Sequence, residues 1–376
     1  MAYRKVTEFK TPEEIAQYVK SENFHIGIAP EVKADGSAAL AQPIRYKGRT
    51  IGNRWAVLPM EGWDCMDDGT PSEFTMRRWL RFARSGAKLL YGTEAGAVMH
   101  SGRSNPQQLL IAPHTRETLR HIVAEMRRVH REKFGRDDDL YIGIQLTHSG
   151  RYSHPNKADV LESKTAYAHP LLDKKFHNSQ ANVVSDQEVE EIVRHFISAA
   201  KVAQEAGFDF VDIKHAHGYL GHEFLTAYDR PGKYGGSFEN RTRFFREIAE
   251  GIQKNVPGLD ISARVSLFDI FPFIKGADGV GHPMEWPEGT RYPYAFGGDG
   301  TGMDMDPDLK ETVQFIDMLK SCGVGMICAT IGSPYYNVHM QRPAYYPVCD
   351  GYAMPEPPLY NVGRHLNCLL YTSDAA

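Results

Sequence analysis

The sequence predicts an α/β protein with a TIM (β/α)8 barrel, of which about six of the eight strands fall within the chain. Six short apolar runs lack strict alternation, as is typical of strands buried on both faces. Amphipathic helices separate the runs, and strands that alternate with helices form a parallel sheet. Polar residues follow nearly every run, at the end of the strands where a barrel builds its site.

The first 50 residues are predicted to precede the barrel, as a helix and a hairpin-like lid. Thr11, Pro12 and Glu14 form a capping box with proline at the first helical position, so a helix is expected from there to about Lys20. Two extended stretches follow, FHIGIAPEV at 24–32 and PIRYKG at 43–48, and we interpret them as the two strands of the hairpin.

The barrel is predicted over residues 51–367, incomplete at its C-terminus. Its strands are expected at 55–58, 87–91, 140–146, 208–213, 261–265 and 324–329. Its helices are expected at 73–85, 115–134, 185–206, 239–255 and 308–322, the third opened by a capping box of Ser185 and Glu188. The two long polar connections, 147–184 and 267–307, are predicted to be lids on the catalytic face.

The strand ends favour a barrel over a doubly wound sheet. Neither GxGxxG nor GxxxxGK[ST] follows any predicted strand. The residues that do follow include one Arg, a Lys, a His and a Tyr but few carboxylates. This set of donors and acceptors suits a planar organic cofactor better than a divalent metal.

Composition narrows the class of partner. Lys and Arg number 43 against 47 Asp and Glu, for a net charge of −4, and the basic residues form no patch, which argues against nucleic acid. No stretch approaches about 18 apolar residues, so neither a signal peptide nor a membrane span is expected. The five cysteines form no CxxC pair, which fits a reducing cytoplasm. We expect a cytoplasmic enzyme of a small-molecule substrate, with a homo-oligomer left open.

A metal-dependent barrel hydrolase is one alternative. His215 and His217 form an HxH pair at a strand end. Gly218 interrupts the extended chain at once, and no second strand end offers an obvious set of Asp or His ligands. The prediction is therefore that the site holds no metal.

Several motifs carry a family resemblance. The segment KHAHGYLGHEFLTAYDRPGKYGGSFENRTRF, at 214–244, resembles that of the Old Yellow Enzyme family of flavin-dependent oxidoreductases, including its dienoyl-CoA-reductase-like branch. The resemblance runs over about residues 24–367, in family order and spacing. Its other motifs are NRWAVLPMEG at 53–62, GTEAGAV at 92–98, QLTHSGRYSHP at 145–155, ARVS at 263–266 and PPLYNVGRHL at 357–366.

The resemblance implies a barrel that binds FMN non-covalently, with NAD(P)H and an electron-poor alkene reacting in turn by ping-pong kinetics. Positive charge at the pyrimidine edge would stabilise the reduced cofactor. The flavin contacts implied by motif are Pro59, Met60 and Glu61 along the ring, Gly92 or Thr93 at its polar edge, Gln145 at the pyrimidine, and Arg264 at the N1/C2 carbonyl edge.

The implied catalytic residues are Tyr219, His217 and Lys214. In the family, a His-x-x-His or His-x-x-Asn pair holds the substrate carbonyl, and a Tyr two residues further donates a proton to the α-carbon. Lys214 stands where the first His is expected. It could polarise a carbonyl, attract an anionic substrate or form an ion pair at the barrel mouth. This departure keeps a second alternative open, a flavin-dependent amine dehydrogenase similar to trimethylamine dehydrogenase.

The C-terminal region departs from the pattern. About 50 residues follow the sixth run, so the last two strands, and the FMN phosphate site that the family builds beside them, are expected to be missing. The last nine residues, CLLYTSDAA at 368–376, resemble the translation of a sequencing adapter. We expect them to be a non-native tail of a truncated chain, the alternative being a natural tail of unrelated sequence.

Overall fold

A computed structural model describes residues 4–178, 182–300, 307–341, 352–353, 359–360, 362–363 and 366. The predicted tail at 368–376, Cys349, Cys368 and much of the motif at 357–366 lie outside the described residues. Within the part of the chain that is described, no helix has both the length and the apolar character needed to cross a membrane.

Most of the predicted strands lie within a residue or two of where the runs indicate. The strands are β1 Ile44–Tyr46, β2 Arg49–Ile51, β3 Leu89–Leu90, β4 Ala95–Ala97, β5 Tyr141–Thr147, β6 Phe210–His215, β7 Asp260–Ser266, β8 Phe273–Lys275, β9 Gly281–Pro283 and β10 Met326–Thr330. The first predicted strand, at 55–58, is reduced to a single parallel bridge between Ala56 and Leu89. Of the run at 87–91, only the two residues of β3 form a strand, and β4 follows as a separate strand outside the predicted run.

The predicted helices are all present. They are α1 Pro12–Ser21, α2 Glu73–Arg84, α3 Arg116–Phe134, α5 Asp186–Ala206, α7 Phe238–Asn255 and α8 Lys310–Ser321, with the shorter α4 Pro170–Lys175, α6 Leu220–Leu225 and α9 Val338–Gln341 between or after them. The capping box of α5 is confirmed, because Ser185 Oγ accepts from Glu188 N at 3.2 Å and Ser185 N donates to Glu188 Oε2 at 2.8 Å.

The main sheet is parallel and curled. Its strands lie in the order β10-β7-β6-β5-β3, and β4 also pairs with β5. Tyr91, just after β3, donates its hydroxyl to the carbonyl oxygen of Ala263 in β7 at 3.3 Å. In a flat sheet these strands would be about 14 Å apart, three strand spacings, so the contact requires the sheet to bend round on itself as a barrel wall does.

Side chains alternate across this wall. Ile142, Ile144 and Leu146 of β5 belong to the large apolar core between sheet and helices. Tyr141 and Phe210 face the other way and belong to a second, smaller cluster inside the curl. The inward positions above them are polar, namely Gln145, Asp212, Lys214, Ser262 and Arg264. The interior therefore changes from apolar at the amino ends of the strands to polar at their carboxyl ends.

The hairpin prediction was wrong in its pairing. No strand forms in the described stretch 24–32, and β1 pairs instead with β2, in the register Tyr46 to Arg49. The two-residue turn of Lys47 and Gly48, both at positive φ, is the reason, since such turns match the twist of adjacent strands. Lys47 and Arg49 make ion pairs with Asp260 and Asp209, which lie at the amino ends of β7 and β6. The hairpin thus covers the bottom of the barrel, away from the catalytic face.

The two long connections contact each other at the carboxyl ends of the strands. The first carries α4, and the second carries the antiparallel pair β8 and β9. Lys175 donates to the carbonyl oxygens of Phe273 and Tyr335 at 2.8 and 2.6 Å, and the Tyr292 hydroxyl lies 3.1 Å from His169 Nε2. Their role as lids stays a prediction.

Gly143→Ala is expected to destabilise the barrel by about 1–3 kcal/mol through overpacking. A Cβ at position 143 would overlap the ring of Phe210, 2.6 Å from its Cε1 atom. Gly27→Ala serves as control, because a Cβ there meets nothing within 4 Å. Urea unfolding measures both, and equal midpoints for the two variants would contradict this account of the barrel interior.

Candidate active site

The carboxyl ends of β5, β6 and β7 place several polar side chains in one layer. Backbone register sets Gln145 beside Asp212, Asp212 beside Ser262, and Lys214 beside Arg264. All these residues are at strand positions whose side chains point to the inside of the curled sheet. Their side chains therefore converge at the open end of the barrel, which we call its mouth.

Asp212 organises the floor of this layer. It is fully buried and accepts hydrogen bonds from Gln145 Nε2 at 2.6 Å, the Tyr91 hydroxyl at 3.2 Å and Ser262 Oγ at 3.1 Å. Burial raises its pKa, while the Gln145 hydrogen bond and the charge of Arg264 oppose that shift. Sequence reasoning missed Asp212, although its position two residues before Lys214 on the same strand gave the signal.

Gln145 and Arg264 offer unused hydrogen-bonding atoms above this floor. With its amide nitrogen held by Asp212, Gln145 presents a buried Oε1 that has no partner among the described residues. Arg264 donates from Nη1 to the Pro59 carbonyl oxygen at 3.3 Å, and its buried Nε likewise lacks a described partner. An orphaned acceptor on β5 and an orphaned donor on β7, at the same end of the sheet, fit the alternating N–H and C=O groups of a flavin pyrimidine ring.

The segment after the bridge at Ala56 lines one side of the layer. Gly92 lies so close to it that an added Cβ would be 2.9 Å from Pro59 Cγ. Thr93 hydrogen-bonds the Gly143 carbonyl oxygen from both its nitrogen and its hydroxyl, at 3.1 and 3.3 Å, so its side chain is committed to the sheet. Met60 is 70% exposed. An exposed methionine in the segment that lines this layer suits contact with the face of a planar ligand.

Glu61 lies between the residues predicted to act on substrate. Its carboxylate accepts from Lys214 Nζ at 3.1 Å, from the Tyr219 hydroxyl at 2.9 Å and from Ser104 Oγ at 2.5 Å. The Lys214 ammonium also lies 3.5 Å from the centre of the Tyr219 ring. Ser104 is a second residue that sequence reasoning missed, because it belongs to a loop without a recognisable motif.

His217 and Tyr219 occupy a tight turn after β6. His217 has φ +64° and Gly218 φ +75°, left-handed conformations that end the strand abruptly. The turn is held by Ser266 Oγ, which accepts from His217 N at 3.1 Å, and by Ser333 Oγ, which donates to the His217 carbonyl oxygen at 2.8 Å. A strained, well-anchored turn at the mouth of a barrel is a common feature of functional sites.

Burial sets the protonation of both side chains. It lowers the pKa of His217 well below the usual value, with Arg264 and Lys214 adding to the effect, so the imidazole is neutral. It raises the pKa of Tyr219 well above the usual value, aided by the negative charge of Glu61, so the phenol keeps its proton. A neutral imidazole and a phenol are both hydrogen-bond donors.

Two buried residues that follow β5, His148 and Arg151, anchor loops. His148 is buried, burial lowers its pKa to about 3, and its Nδ1 accepts from Gly150 N at 3.1 Å. Arg151 is fully buried and bonds to Glu223, Asp173 and the Tyr167 carbonyl oxygen. These contacts tie the connection at 147–184 to α6.

The two histidines of the HxH pair lie in different surroundings. The His215 ring packs against the rings of Phe244, Phe245 and Phe315, on the helix side of the wall, whereas His217 lies in the turn at the mouth, where its backbone nitrogen donates to Ser266 Oγ. Among the described residues, no group of three or more His, Cys, Asp or Glu side chains is arranged to hold a metal ion.

The sequence is similar to those of known flavin oxidoreductases. The sequence model of the NADH:flavin oxidoreductase / NADH oxidase family matches residues 39–285. A curated relative, the NADPH dehydrogenase of Bacillus subtilis (strain 168), is 34% identical over 246 residues, which cover 65% of this chain and 67% of that protein. The chain spans 60% to 67% of the length of the first two curated relatives it matches.

Solved structures share the fold. Old Yellow Enzyme from Pichia sp. AKU4542 superposes with a TM-score of 0.57 at 22% identity, over 79% of this chain and 71% of that one. Histamine dehydrogenase from Rhizobium sp. 4-9 superposes with a TM-score of 0.56 at 21% identity, over 80% of this chain and 38% of that one. The TIM-barrel prediction is thereby confirmed, with the described sheet as an arc of the barrel.

The family model covers more than half of the chain, and its span contains the cradle of Gln145 and Arg264 as well as the turn of His217 and Tyr219. The chain therefore belongs to the NADH:flavin oxidoreductase / NADH oxidase family, whose members are oxidoreductases that use FMN with NADH or NADPH as reductant.

Proposed function

We propose that the protein reduces activated alkenes, of the α,β-unsaturated carbonyl type, with electrons from NAD(P)H, and that the two substrates react in turn. The observation that carries this is the turn after β6, which brings a neutral imidazole and a protonated phenol to the mouth of the barrel. Bound FMN would supply the hydride. The residues of the chain must bind the cofactor, polarise the alkene and provide a proton.

Gln145 and Arg264 are the proposed cofactor contacts. The orphaned Gln145 Oε1 would accept a ring N–H, and the orphaned Arg264 Nε would donate to a ring carbonyl or nitrogen. The positive charge of Arg264 would also stabilise the negative charge that develops on the flavin when it is reduced. Pro59, Met60, Gly92 and Thr93 complete the proposed cofactor-binding set, whereas Glu61, which the motif also implies, is held by Lys214, Tyr219 and Ser104.

His217 and Tyr219 are the proposed catalytic residues. His217, as a neutral donor, would hydrogen-bond the carbonyl oxygen, where electron density accumulates as hydride reaches the β-carbon. Tyr219 would then give its hydroxyl proton to the α-carbon. Lys214, the third residue in the predicted set, is held by Glu61 rather than directed freely at a substrate anion.

Amine oxidation on the same barrel is the second candidate. The observation in its favour is Glu61, a carboxylate at the mouth of the barrel, since carboxylates bind the ammonium groups of amines. The two candidates differ in which compound reduces the flavin, NAD(P)H or the amine.

The visible spectrum of the purified chain with FMN tests the proposal. After incubation with FMN and removal of the excess, we expect a yellow protein that bleaches anaerobically with NADPH or NADH and recovers its colour with 2-cyclohexen-1-one. Bleaching by histamine but not by NAD(P)H would favour amine oxidation instead. A folded protein that remains colourless would overturn both candidates.

Gln145→Leu is expected to weaken FMN binding about 10-fold, because one buried hydrogen bond to the cofactor is lost. Quenching of FMN fluorescence measures the affinity, and unfolding of the FMN-free variant measures the separate cost of freeing Asp212 from its partner. The exposed Gln187→Leu is the control and should leave affinity unchanged. Equal affinities for the two variants would remove Gln145 from the cofactor site.

A further inference from the structure

The Glu61 cluster consists of Glu61, Lys214, Tyr219 and Ser104. The Glu61 side chain is 10% exposed and that of Lys214 6% exposed, so the ion pair between them is largely withdrawn from water. Three donors converge on the one carboxylate. Desolvating a charge pair is costly, so a buried pair at a barrel mouth needs a reason beyond stability.

We propose that Glu61 is a positioning residue for Tyr219, which orients the phenol and, with Lys214, returns the proton that the phenol gives to the substrate. This inference rests on the proposed function, because it assumes that Tyr219 is the proton donor. It assigns Lys214 to proton supply, in place of the carbonyl-binding role of the His that the family pattern leads one to expect there.

Orientation follows from the hydrogen bond. The Tyr219 hydroxyl has one proton and donates it to Glu61 Oε2 at 2.9 Å. Ser104 and Lys214 hold the ionised carboxylate from two further directions, so it keeps one orientation until Lys214 transfers its proton. The hydrogen bond therefore fixes the direction of the Tyr219 O–H until a substrate carbon replaces Glu61 as the acceptor.

The return of the proton balances in three steps. When the Tyr219 O–H bond breaks and a C–H bond forms at the α-carbon, a phenolate remains beside the Lys214 ammonium. An N–H bond of Lys214 breaks as its proton moves to Glu61 Oε1, and the resulting carboxylic acid then turns and gives that proton to the phenolate. Lys214, now a neutral amine, takes up one proton from the solvent, which is the proton that the reduction consumes overall, and no electrons are exchanged.

The groups around Lys214 favour transfer of its proton towards Tyr219. Burial, and then the charge of Arg264, lower the pKa of Lys214, with Glu61 opposing the shift, so the ammonium gives up a proton more readily than an exposed lysine. Its position 3.5 Å from the Tyr219 ring centre lets it stabilise the phenolate until the proton returns.

The variant Glu61→Gln tests whether Glu61 orients Tyr219 and returns its proton or only contributes to the stability of the site. The amide keeps the size of the side chain but does not relay a proton. We expect turnover of 2-cyclohexen-1-one with NADPH to slow at least about 10-fold, with a larger solvent isotope effect in D2O, because the phenolate must regain its proton before the next reduction. Bleaching by NADPH and reoxidation by ferricyanide, which requires no proton on carbon, should stay within about twofold of the wild type. Glu117→Gln, an exposed carboxylate on α3, is the control.

A measurement without FMN completes the test. Because Glu61 raises the pKa of Tyr219, tyrosinate absorbance should appear at lower pH in Glu61→Gln than in the wild type, although Lys214 and Tyr335 still face the phenol. That shift should be absent in Glu61→Gln with Tyr219→Phe.

Two results would overturn the proposal. One is an unchanged rate with the enone, and the other is an equal slowing of the NADPH, enone and ferricyanide reactions, which would assign Glu61 to the cofactor. A wild-type protein that NADPH fails to bleach would instead count against the proposed function, and the tyrosinate shift would then decide whether Glu61 controls Tyr219.

Discussion

Tyr219→Phe is expected to slow alkene reduction by about 10²–10⁴-fold, the contribution of a positioned general acid. The phenol is kept protonated by burial and by the charge of Glu61, so it is in the donating form over the whole physiological pH range. Phenylalanine keeps the ring and its contact with Lys214 but removes the hydroxyl proton that is proposed to reach the α-carbon. Stopped-flow reoxidation of the reduced enzyme by 2-cyclohexen-1-one measures the effect.

Two controls make this prediction specific. FMN affinity and bleaching by NADPH should not change, because neither requires a proton from Tyr219. Tyr228→Phe, which removes a hydroxyl hydrogen-bonded to Glu311, away from the Glu61 cluster, should leave enone reoxidation within about twofold of the wild type. If Tyr219→Phe reoxidises with the enone as fast as Tyr228→Phe, the proton comes from another group and Tyr219 is not the general acid.

The sequence predicted the barrel wall well because its signal is local. Each buried run carries its own apolar pattern, and each helix its own cap, so β5, β6 and β7 lie close to where the runs indicate. The candidate residues at the end of β6 could also be predicted together, because Lys214, His217 and Tyr219 are neighbours in the chain.

Contacts that depend on closing the barrel could not be predicted. Glu61 is 153 residues from Lys214, and only the curl of the sheet brings the two together. Ser104 reaches the same carboxylate from a loop without a pattern of its own. The hairpin error has a different origin, because the two-residue turn at Lys47 and Gly48 was visible but the residues after it were assigned to the barrel.

Arg151→Met is expected to reduce the free energy of unfolding by about 3–5 kcal/mol, because it leaves buried carboxylates without their cation. The side chains of Arg151 and Glu223 are both 0% exposed, with Arg151 Nε donating to Glu223 Oε1 at 2.6 Å. Arg151 also bonds to Asp173 and to the Tyr167 carbonyl oxygen, so it joins the connection at 147–184 to α6. Urea unfolding at neutral pH measures the loss.

Arg128→Met is the matched control. Arg128 makes ion pairs with Glu125 and Glu132 on the exposed face of α3, and such pairs contribute less than about 1 kcal/mol. A similar loss for the two variants would mean that Arg151 acts as an ordinary surface charge. A loss in Arg151→Met that Glu223→Gln partly restores would identify the uncompensated carboxylate as the cause.

The pH dependence of Arg151→Met provides an independent check. Burial raises the pKa of Glu223 in the folded protein, and Arg151 opposes that shift. Without the arginine, the pKa of Glu223 in the folded protein should rise further above its value in the unfolded chain. Between these two pKa values, the folded state binds more protons than the unfolded state. The stability deficit of Arg151→Met relative to the wild type should therefore shrink as the pH falls from 8 towards about 5. A deficit that is constant or grows over this range would show that lost packing, rather than an unpaired carboxylate, destabilises the variant.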